Sequence, residues 1–387
     1  MKMIWANRLT SLLVCGVPGA ALASGFPHTT ERLSQARYYL SATTVANRAF
    51  FAGGAAASGY SAVVDIYDAD TGLWSTDTLS EGRYYLTATT VGNKAMFAGG
   101  FTGPPGAVPS NVVDIYDADA PEGSRWSTHT LSQARGIVAA TTVGNRAIFA
   151  GGYIDSTEGY SDVVDIYDAE APDGSRWSTH TLSEARCYIA ATTVGNKAVF
   201  GGGSNDSAVV DIYDDDTGLW SADSLSQGRS YLAATTAGNL ALFAGGLIGA
   251  DTYSDVVDIY DEDTGLWSTD TLSEARSALS GTTADTVAMF AGGLVGADTY
   301  SDVVDIYDED TGLWSTDTLS QGRCHLSATA VGDTAFFGGG ATGPTPGPGN
   351  YSDIVDIYTI PEPAALSLLV LGGLAVLRRR PRRRTGR

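Results

Sequence analysis

One segment of this chain is written twice with almost no change. The stretch FAGGLIGADTYSDVVDIYDEDTGLW at residues 243–267 recurs at 290–314, where Val295 replaces Ile248. Looser copies fill most of the chain, and the tripeptide DIY marks each copy with its Asp at positions 65, 114, 165, 211, 258, 305 and 356. These positions lie 46 to 51 residues apart. A period of this length predicts a series of small units that bury their apolar faces only against one another.

Every copy carries the same landmarks in the same order. A motif LS[QE][AG]R ends at an arginine, a pair of glycines follows, DIY comes next, and a tryptophan closes six of the seven copies. In the fifth copy these landmarks are Gly245, Gly246, Asp258, Tyr260 and Trp267, and Arg276 opens the sixth copy. Because they recur wherever the unit recurs, we expect all of them to be structural.

The segments between these landmarks alternate between apolar runs and turn residues. YYLTATTV, AMFAGG and VVDIYD are typical of strands, and a fourth strand begins near the tryptophan. The Gly-Asn of GNK and GNR suits the positive φ angles of a tight hairpin, and the residues of DADTG and DEDTG suit turns. Four short antiparallel strands in about 50 residues predict one blade of a propeller.

The repeats resemble those of kelch β-propeller proteins. The resemblance rests on the glycine pair, a tyrosine and a tryptophan seven positions later, as in Tyr260 and Trp267. Two copies depart from it by three extra residues, which separate Tyr116 from Trp126 and Tyr167 from Trp177. The match spans residues 33–358 and implies an all-β, seven-bladed propeller with four antiparallel strands in each blade.

The repeat boundaries divide the body of the protein, residues 24–360, into seven blades. The expected blades are about 33–78, 79–130, 131–181, 182–224, 225–271, 272–318 and 319–358. The last copy ends after its third strand, at Tyr358, and has no tryptophan. We therefore predict that residues 26–32 form its outer strand, with Phe26 near the place of the missing tryptophan. The alternative is a three-stranded last blade and a loose N-terminus.

The N-terminal end has the layout of a signal peptide. Residues 1–23 contain Lys2 and Arg8, followed by the apolar stretch LLVCGVPGAALA. Small residues precede the expected cleavage between Ala23 and Ser24. The alternative is an ordinary N-terminal helix. Cleavage here predicts export through the inner membrane.

The C-terminal end, residues 361–387, has three parts. Pro361, Glu362 and Pro363 precede an uncharged stretch, 364–377, and an Arg-rich tail. A helix of 14 residues is about 21 Å long, shorter than the roughly 30 Å core of a bilayer, although flanking residues could extend it. The order resembles the PEP-CTERM sorting signal. That resemblance implies a short transmembrane helix, processing by an exosortase, and transient anchoring before release or attachment at the cell surface or in the extracellular matrix. The alternative is a plain membrane anchor.

The body of the protein is strongly acidic. Residues 24–360 contain 14 Lys and Arg against 43 Asp and Glu. This charge repels nucleic acids and anionic lipids, so we exclude nucleic acid as a partner and expect a soluble monomer once the ends are removed.

The loops after the glycine pairs differ most among the copies, which makes them the candidate binding surface. A tyrosine recurs in five of them, and its ring could stack on a sugar or pack on a protein. The candidate binding residues are Tyr60, Tyr160, Tyr253, Tyr300 and Tyr351. The alternative is that each tyrosine caps the third strand of its blade.

The residues do not suggest catalysis, a metal or a cofactor. The acidic turns lack the later bidentate Glu of a calcium loop, and no Cys and His have zinc spacing. Cys187 and Cys324 stand at equivalent inner-strand positions in blades that lie far apart, so we expect free thiols. Seven motif arginines match seven DIY aspartates, so we expect them to pair within each blade rather than line the channel mouth and bind an anionic glycan.

Together these features predict an exported, non-catalytic surface or matrix protein that binds a glycan or a protein partner through the loops after the glycine pairs. One alternative is a carbohydrate-active enzyme of the sugar oxidase or epimerase kind, because kelch-like propellers include such enzymes. Another is a purely structural surface component. The sequence itself does not identify a ligand.

Overall fold

The computed structural model of the protein describes residues 25–103, 107–344 and 349–361. These residues form seven four-stranded antiparallel sheets and contain no helix. The innermost strand of each sheet contacts the innermost strands of the sheets before and after it, and the first sheet contacts the last. The prediction of an all-β propeller with seven four-stranded blades is therefore confirmed.

The strands of each blade are named here first to fourth, from the central channel outward. The first strands are Ser41–Val45, Thr87–Val91, Ala139–Val143, Ala190–Val194, Ala233–Ala237, Ser280–Ala284 and Ser327–Val331. The second strands are Arg48–Ala52, Lys94–Ala98, Arg146–Ala150, Lys197–Gly201, Leu240–Ala244, Val287–Ala291 and Thr334–Gly338. The third strands are Val63–Asp68, Val112–Asp117, Val163–Asp168, Val209–Asp214, Val256–Asp261, Val303–Asp308 and Ile354–Thr359. The fourth strands are Leu73–Thr78, Trp126–Thr130, Trp177–Thr181, Leu219–Ser224, Leu266–Thr271, Leu313–Thr318 and, in blade 7, His28–Arg32.

The hydrophobic core lies between the blades rather than within them. Phe243, Tyr260 and Trp267 of blade 5 pack with Val199 and Ile212 of blade 4, and the equivalent cluster recurs at other interfaces. Each sheet buries both faces in this way, so its second strand is apolar throughout instead of alternating. This explains why the unit must be repeated around a ring.

The glycine pair lets neighbouring blades approach each other closely. Gly245 and Gly246 have positive φ angles of 65° and 115°. A side chain on Gly245 would lie 2.6 Å from the carbonyl oxygen of Arg276 in blade 6. The N–H of Gly246 donates to that same oxygen at 2.8 Å. The equivalent hydrogen bond joins every pair of adjacent blades, including blade 7 to blade 1 through Gly340 and Arg37.

The motif arginine and the DIY aspartate form a buried ion pair inside each blade. Arg135 and Asp165 are 2.6 Å apart, and both side chains are almost completely buried. The guanidinium also donates to backbone carbonyls of the second and third strands, and burial lowers the pKa of Arg135 to about 10. The seven pairs are Arg37–Asp65, Arg83–Asp114, Arg135–Asp165, Arg186–Asp211, Arg229–Asp258, Arg276–Asp305 and Arg323–Asp356. The arginines therefore do not form an anion-binding ring at the channel.

Threonines of the first strands link the blades around the channel. A hydroxyl of one blade bonds to a hydroxyl of the next at 2.7–2.8 Å, as in Thr235 and Thr283. Six of the seven blade interfaces have this hydrogen bond between two threonine hydroxyls, called here a threonine rung. Between blades 6 and 7, Ala330 stands where the others have a threonine, opposite Thr282.

The N-terminal strand His28–Arg32 completes blade 7 by pairing antiparallel with Ile354–Thr359. The expected position of Phe26 is wrong. His28 lies opposite Tyr358, the register that Trp267 occupies opposite Tyr260, and its ring stacks on Tyr358 at 4.4 Å. The imidazole also bonds to Asp356 at 2.8 Å, whereas Phe26 packs against the core beside it.

The predicted sequence signals at the two ends fall largely outside the described residues. Ala23, Ser24, Glu362, Pro363 and the stretch 364–377 are not described, and Pro361 is the last residue that is. Among the described residues, none belongs to a helix that could cross a membrane.

Candidate binding face

Five of the loops that follow the glycine pairs fold into small hairpins on one face of the ring, called here the hairpin face. The hairpin strands are Ala55–Ala56 with Gly59–Tyr60, Phe101–Thr102 with Val108–Pro109, Tyr153–Asp155 with Gly159–Tyr160, Leu247–Ile248 with Thr252–Tyr253, and Leu294–Gly296 with Thr299–Tyr300. The first residue of a hairpin pairs with the residue directly after the motif arginine, as Leu294 pairs with Ser277. The hairpins are thereby fixed against the linkers between blades.

Three of the five predicted binding tyrosines use their rings for contacts within this face. Tyr60 stacks on Tyr84 at 4.4 Å and Tyr351 stacks on Tyr38 at 5.0 Å. Tyr160 lies beside Tyr153, with ring centres 6.0 Å apart. These contacts favour a packing role for these three residues.

The other two predicted tyrosines have different surroundings. Tyr300 pairs with Leu294 in its hairpin and packs at the edge of a small cluster that includes Ala278 and Cys324. Tyr253 lies beside a cavity that is described below. Tyr253 is therefore the predicted candidate that lies best to meet a ligand.

The mouth of the channel on the hairpin face is lined by seven residues, called here the collar. Each collar residue is the second after a motif arginine: Tyr39, Tyr85, Ile137, Tyr188, Tyr231, Ala278 and His325. All seven have φ between 51° and 57°, a conformation that is strained for residues other than glycine and most of all for the β-branched Ile137. The repeated strain indicates that the ring imposes this geometry on its inner edge.

Backbone hydrogen bonds join the collar residues at five of the seven blade interfaces. The N–H of Tyr85 donates to the carbonyl of Tyr39 at 3.0 Å, and the N–H of His325 donates to that of Ala278 at 3.0 Å. The closing bond runs from Tyr39 to His325 at 3.2 Å. The collar therefore has the same backbone conformation in every blade, but its side chains differ in size and polarity.

Four tyrosines fill most of the collar as two stacked pairs. Tyr39 and Tyr85 lie 3.6 Å apart, and Tyr188 and Tyr231 lie 3.8 Å apart. Burial raises the pKa of the hydroxyls of Tyr85 and Tyr231, so they stay protonated at neutral pH. Protonated hydroxyls both donate and accept hydrogen bonds.

His325 is the one ionisable collar residue that is not a tyrosine. Its ring centre lies 4.3 Å from that of Tyr39, and burial lowers its pKa to about 3. The imidazole is therefore neutral at physiological pH and offers one donor and one acceptor.

Ala278 is the small member of the collar and leaves a gap between Tyr231 and His325. A cavity of about 220 Å³, called here the notch, opens at this gap. Its lining comprises Tyr231, Leu247, Ala250, Tyr253, Ser277, Ala278, Leu294 and His325. The notch adjoins the cavity at the channel mouth, which is also about 220 Å³ and shares Tyr231, Ala278 and His325 with it. The hairpins of blades 5 and 6 thus enclose a site with aromatic, aliphatic and neutral polar groups.

The two cysteines of the described residues lie near this mouth but are not in the first strands, which corrects the sequence-based placement. Cys187 and Cys324 directly follow motif arginines, three residues before the first strands Ala190–Val194 and Ser327–Val331 begin. Both are free and buried, and burial raises the pKa of each thiol to about 12. They are therefore thiols rather than reactive thiolates.

The acidic turns lie on the opposite face, called here the turn face, together with the Gly-Asn turns. Asn239 donates to Asp263 at 2.8 Å, and Asp261 accepts from the backbone of Thr264. These bonds hold the turns themselves. Within residues 25–103, 107–344 and 349–361, no three His, Cys, Asp or Glu side chains are grouped so that they could hold a metal.

Sequence reasoning missed the collar and the notch. The collar position was visible as the middle residue of YYL, GIV, CYI, SYL, SAL and CHL after each arginine. The alanine in SAL is a small residue where most other copies have a large one, and it marks the notch.

Comparison with known proteins supports the fold. The solved structure described as "Structure of YjhT" superposes with a TM-score of 0.58 at 14% sequence identity, covering 74% of this chain and 99% of that chain. No family model matches the sequence. No curated protein matches it either.

Proposed function

We propose that this chain is an exported, non-catalytic surface or matrix protein that binds a glycan or a protein partner through its hairpin face, and that the notch takes one sugar ring. The observation that carries this proposal is the gap at Ala278, which opens beside Tyr231, Tyr253 and His325. The chain supplies hairpins on both sides of this gap, whereas the other six collar positions carry larger side chains.

The chemistry of the notch matches that of a sugar. A sugar ring has an apolar C–H face and a rim of hydroxyls. Aromatic side chains pack against apolar surfaces, and the neutral imidazole of His325 and the hydroxyl of Ser277 can each donate and accept hydrogen bonds. The absence of a full charge on His325 favours an uncharged part of the ligand at this point.

The proposal also includes the export of the protein and its C-terminal sorting. The repeats are taken as kelch-like, residues 1–23 as a signal peptide cleaved between Ala23 and Ser24, and residues 361–387 as a PEP-CTERM signal processed by an exosortase near Pro361, Glu362 and Pro363. Mass spectrometry of the mature protein tests this directly. Termini at Ser24 and near Pro361 are expected, and an intact C-terminal tail on the exported protein would overturn the sorting assignment.

A glycan array with purified protein tests the binding function. Replacing Ala278 with Tyr fills the notch with the side chain that Tyr39, Tyr85 and Tyr231 already have at this backbone position, so the variant should fold. We expect it to lower the binding of at least one array hit at least tenfold.

The matched control is Ile137→Tyr, which makes the same change at the collar of blade 3. It should leave binding intact, because Ile137 does not line the notch. Equal binding by wild type and the Ala278→Tyr variant would rule out the notch. A protein that binds neither glycans nor surface proteins but assembles into ordered layers would favour the purely structural alternative.

A further inference from the structure

The outer rim contains two grooves that have the same design. One lies between blades 1 and 2 and has a volume of about 500 Å³, and the other lies between blades 2 and 3 and has a volume of about 450 Å³. Ten lining positions correspond one to one: Arg48 with Lys94, Ile66 with Ile115, Asp68 with Asp117, Ser75 with Ser127, Thr76 with Thr128, Asp77 with His129, Tyr116 with Tyr167, Gly123 with Gly174, Arg125 with Arg176, and Trp126 with Trp177. We call them the rim grooves.

The three-residue insertions of blades 2 and 3 build these grooves. Each insertion ends at an arginine that the turn holds in place: Arg125 donates through Nε to the carbonyl of Ala120 at 3.2 Å and through NH1 to the hydroxyl of Tyr116 at 2.9 Å. Arg176 makes the same two bonds, at 3.1 and 3.2 Å, in blade 3. The same anchored arginine therefore forms one wall of both grooves.

At two neighbouring interfaces a carboxylate from the turn of one blade reaches the preceding blade. Between blades 3 and 4, Asp215 crosses the interface and bonds to Arg146. Between blades 4 and 5, Glu262 crosses in the same way to Lys197 at 2.7 Å. Blades 2 and 3 have Ala118 and Ala169 at this turn position, so no carboxylate crosses to Arg48 or Lys94.

The rim grooves combine aromatic surface, hydroxyls and paired charges. Trp126 and Tyr116 are in contact at 5.3 Å, and the indole N–H of Trp126 is fixed by Asp77 at 2.7 Å. Arg48 is paired with Asp68 at 2.7 Å, and Lys94 is paired with Asp117. Because a carboxylate accompanies each of these cations on a strongly acidic protein, an anionic ligand gains little here.

We infer that the rim grooves are two subsites for an uncharged polysaccharide, separate from the notch. In the first groove a neutral sugar unit packs its C–H face on Trp126. In the second groove His129 stacks on Trp177 at 4.7 Å, so the sugar packs against this imidazole–indole pair. In both grooves the sugar exchanges hydrogen bonds with the anchored arginine, with Asp68 or Asp117, and with the strand hydroxyls. Fixed arginine and carboxylate groups can each hold two adjacent hydroxyls. The two subsites lie one blade apart, so a single polymer chain that reaches both is held by two contacts.

Two linked subsites raise the affinity for a polymer above that for its short fragments, because the second contact forms at a high effective concentration. The probes are neutral gluco-, manno- and galacto-oligosaccharides of increasing length, with galacturonate oligomers of equal length as the charged counterpart. We expect at least one neutral series to bind. Its affinity should rise by about 10²-fold once the oligomer is long enough to reach both grooves.

Two variants close the rim grooves by replacing the longer turns of blades 2 and 3 with the shorter turn of blade 5. Residues 118–125 of blade 2 are replaced by the blade 5 sequence 262–266, EDTGL, which should place a glutamate over Arg48 as Glu262 lies over Lys197. The same exchange at residues 169–176 closes the second groove. Either exchange should reduce polymer binding to the level of a short oligomer, and both together should abolish it.

Two further variants separate this proposal from the notch and from a folding defect. Arg125→Lys keeps the charge but loses the bond to Tyr116, and it should weaken binding at least tenfold with an unchanged melting temperature. Ala278→Tyr should leave rim binding unchanged. No binding by any neutral series, tighter binding of galacturonate, no dependence on length, or equal loss in Ala278→Tyr would each overturn the inference.

Discussion

The interface between blades 5 and 6 and the interface that closes the ring between blades 7 and 1 are alike near the channel and different at the rim. Near the channel, Gly246 bonds to Arg276 at 2.8 Å in the first, and Gly340 bonds to Arg37 at 2.9 Å in the second. Both have a threonine rung of 2.7 Å. The contacts that set the distance between blades are therefore kept at the closure.

At the rim the two interfaces diverge. The indole N–H of Trp314 donates to Asp270 at 2.9 Å between blades 5 and 6. At the closure the equivalent indole, that of Trp74, is buried without a partner. Glu31 of the N-terminal strand stands opposite Val355, the register in which Asp270 stands opposite Val257. Glu31 is one methylene longer than Asp270, and the indole N–H of Trp74 has no hydrogen bond to it.

This difference shows which contacts hold the ring closed. The N-terminal strand does not reproduce the indole hydrogen bond of the rim. It is held by backbone pairing, by the bonds of His28 to Asp356 and of Arg32 to Asp353, and by the packing of Phe26. The rim is accordingly the part of the propeller that can change, and both the insertions of blades 2 and 3 and the replaced fourth strand lie there.

The largest expected effect comes from removing the closing strand. Deleting residues 25–32 exposes the ladder edge of Ile354–Thr359 and removes five register pairs. Antiparallel pairs alternate between two hydrogen bonds and none, so five pairs correspond to about five bonds. At about 1 kcal/mol per hydrogen bond, the free energy of unfolding should fall by about 5 kcal/mol. Denaturant unfolding measures this. A peptide of residues 25–33 added in trans should restore part of the loss, and an unchanged unfolding midpoint after deletion would contradict closure by this strand.

The second prediction compares the two tryptophans. Trp314→Phe loses ring area and the bond to Asp270, whereas Trp74→Phe loses the same area and removes a buried donor that has no partner. An unsatisfied buried polar group is unfavourable by about 1–3 kcal/mol. Trp314→Phe should therefore lower the free energy of unfolding by about 2 kcal/mol more than Trp74→Phe. Equal losses in the two variants would mean that the rims of the two interfaces are energetically alike.

The sequence predicts the repeated contacts because each is carried by a residue type with few alternatives. Seven buried-strand aspartates require seven partners, which the motif arginines provide, and the paired glycines indicate a close backbone approach. The register of the closing strand is harder to predict, because the N-terminal segment has no preceding turn from which positions can be counted. For this reason the sequence points to Phe26 at the position that His28 occupies.

The collar and the rim grooves depend on contacts between blades that the sequence does not encode locally. Nothing about Ile137 or Tyr85 favours a positive φ, and the ring geometry imposes it. The insertions of blades 2 and 3 are visible in the sequence. Their consequence, an open interface where Asp215 elsewhere reaches Arg146, becomes apparent only when adjacent blades are placed side by side.

The third prediction concerns pH and the closing strand. Burial raises the pKa of Asp356, but the hydrogen bond from His28 and the charge of Arg323 lower it more, so its pKa is below the usual value. The stability that this carboxylate contributes is therefore present above the unfolded-state pKa of about 3.9 and is lost as the pH falls through the lower folded value.

Replacing His28 with Phe should keep a ring on Tyr358 but remove the bond to Asp356. We expect a loss of about 1.5 kcal/mol at neutral pH and acid unfolding at a higher pH than in the wild type. His129→Phe is the matched control, because His129 stacks on Trp177 and does not touch a DIY aspartate. An acid midpoint that moves equally in both variants would argue against a specific role for His28.

The smallest expected effect is a gain, at the interface between blades 6 and 7. Ala330 faces Thr282 where six other interfaces have paired threonine hydroxyls, so Ala330→Thr should complete the ring of rungs and raise the free energy of unfolding by about 1 kcal/mol. Ala330→Val has nearly the same shape without the hydroxyl and should gain less, since a buried threonine such as Thr282 would still lack its partner. Thermal unfolding of the two variants separates the contributions. A valine variant as stable as the threonine variant would show that packing, and not the hydroxyl rung, distinguishes this interface from the others.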